Sequence, residues 1–384
     1  MKNKALTLLL ALYTLWSLVA CSDQAPPAPP AETKEPEAPV QEQSGQVMET
    51  VTVNGTQLGM GLRMDDEAAA AMDENPDREI DRAVEPIKPS PAVSLDGTPL
   101  TDDFYYYRNT LDPVKQQAYD LLRSALLKGE KEIEMTVPIQ KSDIFDIYKK
   151  VLYDSPELVW AETNGVRYWY NKQQIVTALT PGYNDLVNDI PGTIATLEAA
   201  AAEALADMWS LPTQAEKAKY AHDYLTHHIA YTFDSPYNQN AYSALVNGQT
   251  VCAGYSHAFQ YLMQKMGIPC SYVLGYAQGG YHSWNLVQLD GEHYMMDVTW
   301  DDPLGSPPER YIYNYFNLTE QGISVDHIRD VVSASLPVAN GTACSFQNAF
   351  GGNAYGTDFA AIVGVMPEQK QDTGNETAEN PYLG

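Results

Sequence analysis

Asp290-Gly291 constrains this chain more than any other dipeptide in it. A two-residue hairpin turn of the favoured hand needs positive φ at both positions, and Asp-Gly supplies it at low cost. The dipeptide sits between Trp284–Leu289 and Glu292–Trp300, both rich in strand-forming residues. If Asp290 and Gly291 form the turn, Leu289 faces Glu292; counted outward, Trp284 faces Asp297 and His282 faces Thr299. Side chains alternate along a strand, so His282 and Asp297 share a face, one diagonal step apart. Such neighbours lie about 7–8 Å apart at the backbone and less at the side chains, so an Asp–His hydrogen bond is in reach. The same count turns Asp302 to the other face and sets His293 roughly 20 Å along the strand from His282. Asp301 shares the face on the opposite diagonal, and parity leaves it open beside Asp297. A turn of odd length would reverse this parity.

Upstream, Thr250-Val251-Cys252-Ala253-Gly254-Tyr255 marks the point where turn formers give way to an apolar helical pattern. Ala253, Phe259, Leu262 and Met263 carry that pattern, and Gly267 stops it. A thiol at a helix start feels the dipole and the open backbone N–H groups, which favour thiolate. Cysteine, histidine and carboxylate in that order are the parts of a nucleophile, its base and its orienter. We take Cys252, His282 and Asp297 as the candidate catalytic residues. The Cys252 backbone N–H is a natural donor to a developing oxyanion, with Gln249, Asn247 and Tyr242 as candidates for a second donor. His257, five residues after Cys252, falls off its helical face and reads as structural; His227-His228 complement a helix C-terminus. The 26 tyrosines are explained by packing with the hydroxyl at the surface.

The first 20 residues read as a secretory leader: Lys2 and Lys4, then an apolar run from Ala5 to Ala20, too short to span a bilayer comfortably. The run ends Leu18-Val19-Ala20-Cys21, which resembles a bacterial lipoprotein box and implies cleavage before Cys21 and a lipid on its sulfur. The expected location is therefore extracytoplasmic, lipid-anchored to the outer face of the bacterial cell membrane. The chain has 23 basic and 50 acidic residues, a formal net charge of −27. That field repels nucleic acid and anionic lipid headgroups, so no nucleic-acid partner is expected and the lipid must hold the protein at the membrane. Cys270 and Cys344 are open to a disulfide in this compartment or to inert burial. No paired CxxC or HExxH pattern appears, so neither metal nor cofactor is expected.

Residues 21–100 read as a Pro/Glu-rich tether and linker, with a small hairpin foreseen at Val51-Thr52-Val53-Asn54-Gly55. Residues 101–210 read as a helix-rich extension. Its helices are expected from Asp112-Pro113 to Gly129, from Ser142 to Tyr153 and from Pro191 to Met208, with strands at 167–170 and 175–179. Thr213-Gln214-Ala215-Glu216 is a capping box for a further helix reaching about His228. Residues 211–345 hold the chemistry, and 346–384 form a C-terminal segment and loose tail.

The ordered set Thr250-Val251-Cys252-Ala253-Gly254-Tyr255, Gly267-Ile268-Pro269, Val273-Leu274-Gly275, His282-Ser283-Trp284-Asn285, Asp290-Gly291 and Tyr294–Asp302 resembles the bacterial transglutaminase-like superfamily over residues 215–305. The resemblance implies an α+β, papain-like fold, with cysteine on a helix and histidine and aspartate on neighbouring antiparallel strands. It also assigns Cys252 as nucleophile, His282 as base and acid, and Asp297 rather than Asp301 as orienter. Members include cross-linkers, peptidases, amidases and non-catalytic relatives. The expected activity is amide acyl transfer, leaning to hydrolysis of protein, peptide or cell-wall peptide, with a cross-linking transglutaminase and a non-catalytic binding module as alternatives.

Overall fold

The computed structural model describes residues 87–302 and 312–351, together with the backbone of short strands between Gln46 and Met64. The leader, Cys21, the acidic stretch 65–81 and the tail beyond 351 lie outside the described residues. The foreseen early hairpin is present, pairing Thr50–Val53 with Thr56–Gly59.

Helix ends follow their capping residues. Helix α1, Pro113–Leu127, starts at Asp112, whose carboxylate accepts the N–H groups of Val114 and Lys115. Gly129 follows at φ 66°, a left-handed conformation that glycine adopts without a Cβ penalty. Helix α2 spans Lys141–Asp154. Two long strands, β1 (Ala161–Tyr170) and β2 (Val176–Tyr183), pair antiparallel, and the short strand Ile133–Glu134 joins the free side of β2. Helix α3, Ile190–Ala204, ends short of the expected Met208, where the chain turns into a 3₁₀ segment. Helix α4, Gln214–His228, carries the full reciprocal capping box of Thr213 and Glu216.

The rest of the chain forms the frame of the site. A short strand β3 (Ala230–Tyr231), the helix α5 (Ala241–Leu245) and a short strand β4 (Gln249–Thr250) lead into α6, Cys252–Lys265. Then come β5 (Cys270–Ala277), β6 (Gly280–Leu289), β7 (Glu292–Met296) and, after a long connection, β8 (His327–Arg329). These four strands form one antiparallel sheet in the order β7-β6-β5-β8. The hairpin is as counted: Asp290 and Gly291 take φ 51° and 85°, and Leu289 pairs with Glu292.

Both faces of this sheet are covered, which is why all eight positions of β5 are buried. On one face, Val287, Leu289 and Met296 join the main core with Phe259 and Leu262 of α6, and Asn285 Nδ2 donates to the Ser256 carbonyl at 2.9 Å. On the other, Val273, Trp284, Leu286 and Met295 pack with Tyr107, Tyr315, Ile323 and Leu336. The main core also contains Leu122, Ile147, Trp160 and Leu197, so the N-terminal helices and the sheet share one apolar interior. Among the described residues, no helix is long and apolar enough to cross a membrane.

Candidate active site

Cys252 is the first residue of α6. Its N-cap, Val251, offers no side-chain acceptor, so the positive end of the helix is not neutralised by a cap. The residue is half-buried, and its thiol stands beside the His282 ring and Ser283. Burial pushes the thiol up. The hydrogen bond and charge of His282, with the N–H and hydroxyl of Ser283, outweigh burial and bring it below the ordinary thiol value.

His282 lies on β6 and gives Nε2 to Asp297 Oδ2 at 2.7 Å. That leaves Nδ1 for the sulfur. Burial disfavours the charged ring, but Asp297 and then Cys252 outweigh it and raise His282 to about 10. Asp297 is fully buried. Burial alone would raise its carboxyl; His282 and His327 hold it well below the usual carboxylate range. Its Oδ1 accepts the N–H groups of Thr299 at 3.0 Å and Trp300 at 3.2 Å. This capped turn is why the β6–β7 ladder stops at Asn285–Met296, one residue short of the counted Trp284–Asp297 pair. The side chains of Asp297 and His282 meet nonetheless.

Asp301, which parity leaves open, bonds elsewhere. Its Oδ2 lies 3.2 Å from His222 Nε2 of α4, and its carboxylate accepts the Tyr315 N–H at 3.0 Å. Asp302 accepts the Tyr255 hydroxyl at 2.6 Å. The three candidates for a second oxyanion donor lie on the segment that leads into α6. Asn247 is exposed and gives its amide to the Pro236 carbonyl at 3.3 Å, Gln249 is exposed, and Tyr242 packs edge-on against Tyr237. Cys270 and Cys344 are buried and in no disulfide; the Cys344 thiol faces Asp290 Oδ2 at 3.7 Å.

Two residues join the site that sequence reasoning missed. Tyr231 of β3 brings its hydroxyl beside the Cys252 backbone N–H. His327 of β8 gives Nε2 to the same Asp297 Oδ2, at 3.0 Å. Trp284 and Trp300 wall the two imidazoles, with ring centroids 4.9 and 4.5 Å from His327. His282, Asp297 and His327 present atoms within 4.8 Å of one another. Both nitrogens converge on one oxygen as donors, which makes the group a hydrogen-bonded network rather than a set of converging lone pairs.

A groove of about 1040 Å³ opens next to the first turn of α6; Ala253 lines it and Cys252 itself does not. Its lining includes Tyr272 and Tyr281, which neighbour Cys252, together with Asn238, Asn240 and, from α2, Lys149 and Tyr153.

The transglutaminase-like superfamily model matches residues 203–298, and the chain carries a transglutaminase-like domain there. The fold is accordingly α+β, a helix carrying the cysteine packed on an antiparallel sheet, with a helical N-terminal region. The chain is similar to kyphoscoliosis peptidase of Mus musculus, at 27% identity over 129 residues, covering 28% of this chain and 20% of that protein. It is similar to the Homo sapiens protein of the same name at 26% identity over 140 residues, covering 31% and 21%. The match thus spans about a fifth of the length of these relatives. A solved structure described as a TGase superposes with a TM-score of 0.26 at 13% identity, covering 46% of this chain and 52% of the other.

Proposed function

We propose that this protein is a thiol-dependent hydrolase of amide bonds in peptides or proteins. The observation that carries the reading is the convergence of the Cys252 thiol, the His282 ring beside it and Asp297, to which His282 Nε2 is bonded at 2.7 Å. With Nε2–H given to Asp297, the neutral ring presents an Nδ1 lone pair to the thiol and takes its proton. The thiolate attacks the amide carbonyl carbon and forms a C–S bond. The imidazolium returns its proton to the departing nitrogen as the C–N bond breaks. Water, deprotonated by His282, then cleaves the thioester and releases the acid.

Hydrolysis is preferred over transfer to an amine because the groove next to the first turn of α6 is broad and lined in part by Asn184, Asp185, Asn238 and Asn240, which keep water at hand. An extended peptide, rising about 3.3 Å per residue, suits such a groove. The proposal extends to the address: an extracytoplasmic protein held to the membrane by a lipid on Cys21.

The test is mass spectrometry of a glutamine-containing protein incubated with the enzyme and a primary amine, with Cys252→Ala alongside. Chain cleavage by the native protein alone supports a peptidase. A gain of the amine with loss of ammonia would replace hydrolysis by cross-linking, and no change with either protein would point to a binding module. Mass analysis of the membrane-extracted N-terminal peptide tests the anchor; an unmodified Cys21 rules it out.

A further inference from the structure

Asp297 does not serve His282 alone. Its Oδ2 accepts from His282 at 2.7 Å and from His327 at 3.0 Å. The other nitrogen of His327, Nδ1, lies 2.6 Å from Asp326 Oδ1. A neutral imidazole has one N–H and can donate to one carboxylate; its second nitrogen would set a lone pair against an oxygen lone pair. Carboxylates on both edges of the ring therefore hold His327 as the imidazolium. The side chain is fully buried, so the charge is screened little by water.

The fold builds this contact deliberately. His282 pairs with Gly275 and His327 with Ala277, so the two histidines flank β5 on one face of the sheet. The small side chains of Gly275 and Ala277 leave room above the middle strand, and the imidazole centroids approach to 5.5 Å. A Cβ on Gly275 would run into the Trp284 ring and the Ile328 carbonyl. The charged or titratable groups facing His327 are Asp297 from the turn after β7, Asp326 beside it, His282 from β6 and the Tyr315 ring, whose hydroxyl donates to Asp326 Oδ2 at 2.7 Å. Trp284 and Trp300 complete the enclosure without charge.

We propose that His327 is a positioning residue for the thiol chemistry: a fixed buried cation that locks Asp297 in place and sets the pH range in which Cys252 and His282 work. The proposal rests on the reading of Cys252, His282 and Asp297 given above. Its two effects are separable. As a donor, His327 supplies the fourth hydrogen bond to Asp297, after His282, Thr299 and Trp300, and removes the carboxylate's freedom to rotate. As a cation, it draws on the charge of Asp297 and lowers the proton affinity of every group nearby, the His282 ring and the Cys252 thiol alike.

The experiment is the pH dependence of Cys252 alkylation by iodoacetamide, read on the Cys252 peptide by mass spectrometry, in the full-length protein. His327→Gln retains a donor toward Asp297 and loses the charge; its alkylation midpoint moves up by about one pH unit with the plateau rate little changed. His327→Leu loses both, and shows the same upward shift with a plateau about tenfold lower. Midpoints equal to that of the native protein in both folded variants overturn the proposal and leave the triad reading standing. A native Cys252 that titrates like a free-peptide cysteine overturns both. Native protein with ¹⁵N-labelled histidine gives a variant-independent check: both ring nitrogens of His327 carry protons near neutral pH, and a ring with only one rejects the proposal.

Discussion

The turn after β7 builds a carboxylate–imidazole contact twice, four residues apart, with opposite outcomes. Asp297 and Asp301 are both buried, both bonded to histidine, and both stapled to Tyr315, whose carbonyl accepts from the Asp297 N–H and whose own N–H goes to Asp301. The Asp301 partner, His222, lies on α4 between Asp301 and Asp223, at 3.2 and 3.1 Å, packed against Tyr313 and Phe316. Among the described residues both of its ring nitrogens meet carboxylates, and the pair ties a helix to the turn. The Asp297 partner stands beside a thiol at a helix start. Identical groups become a structural tie or, on the proposed function, a catalytic relay according to what the far side of the imidazole meets.

The comparison breaks most sharply at the carboxylates themselves. Asp297→Asn leaves His282 without its acceptor and favours the wrong tautomer, so kcat of the folded protein falls by about a thousand- to ten-thousand-fold; it also strips His327 of one of its two carboxylates, so stability falls as well. Asp301→Asn strips the buried His222 imidazolium of one of its two carboxylates. It costs stability, on the order of 3–5 kcal/mol, with kcat of the folded protein within a few-fold of native. Denaturant titration and active-site-normalised kinetics on the two variants decide this; exchanged phenotypes would mean that Asp301 is the orienter.

The sequence could rank these two aspartates only so far. Hairpin parity reached His282 and Asp297 because Asp290-Gly291 fixes a register that side-chain alternation then propagates, and the observed pairs follow it up to Asn285–Met296. Parity could not dismiss Asp301, because its partner His222 is 79 residues away on a helix and the contact is purely tertiary. His327 escaped for a related reason. It sits on the three-residue strand His327–Arg329, too short for a period to show, and it reaches the site only by pairing with β5. The adjacent Asp326-His327 was the one local hint, a carboxylate beside an imidazole. Tyr231 was hidden on a two-residue strand. Capped helices were the most legible elements, since Asp112 and the Thr213–Glu216 box act within a few residues of themselves.

Protonation separates the two histidine sites on the stability axis. Burial lowers His222, but Asp223 and Asp301 outweigh it and raise the ring to about 9. A folded value above the unfolded one near 6.5 means that the contribution is fully present below about pH 6.5 and is lost as pH rises through about 9. It amounts to at most about 3 kcal/mol, since part of the gain offsets burying the ions. The difference in unfolding free energy between native protein and His222→Gln, measured from pH 6 to pH 10, should shrink along that window. A difference that stays flat would show His222 neutral in the fold and the Asp301 contact a plain hydrogen bond.

The smallest effect is expected at the mouth of the relay. In the resting site the Tyr231 hydroxyl stands against the Cys252 backbone N–H, the group placed to meet a developing oxyanion. A substrate oxygen must displace that contact, at a cost of about 1 kcal/mol. Tyr231→Phe leaves the N–H open, so kcat/KM should rise by up to about fivefold, with the pH profile unchanged because neither His282 nor Asp297 loses a partner. No comparable gain is available at the His222 site, where no reaction waits on an occupied donor. If Tyr231→Phe instead lowers kcat by a hundredfold or more at constant KM, the hydroxyl is itself the second oxyanion donor, and β3 belongs to the catalytic machinery rather than to its resting lock.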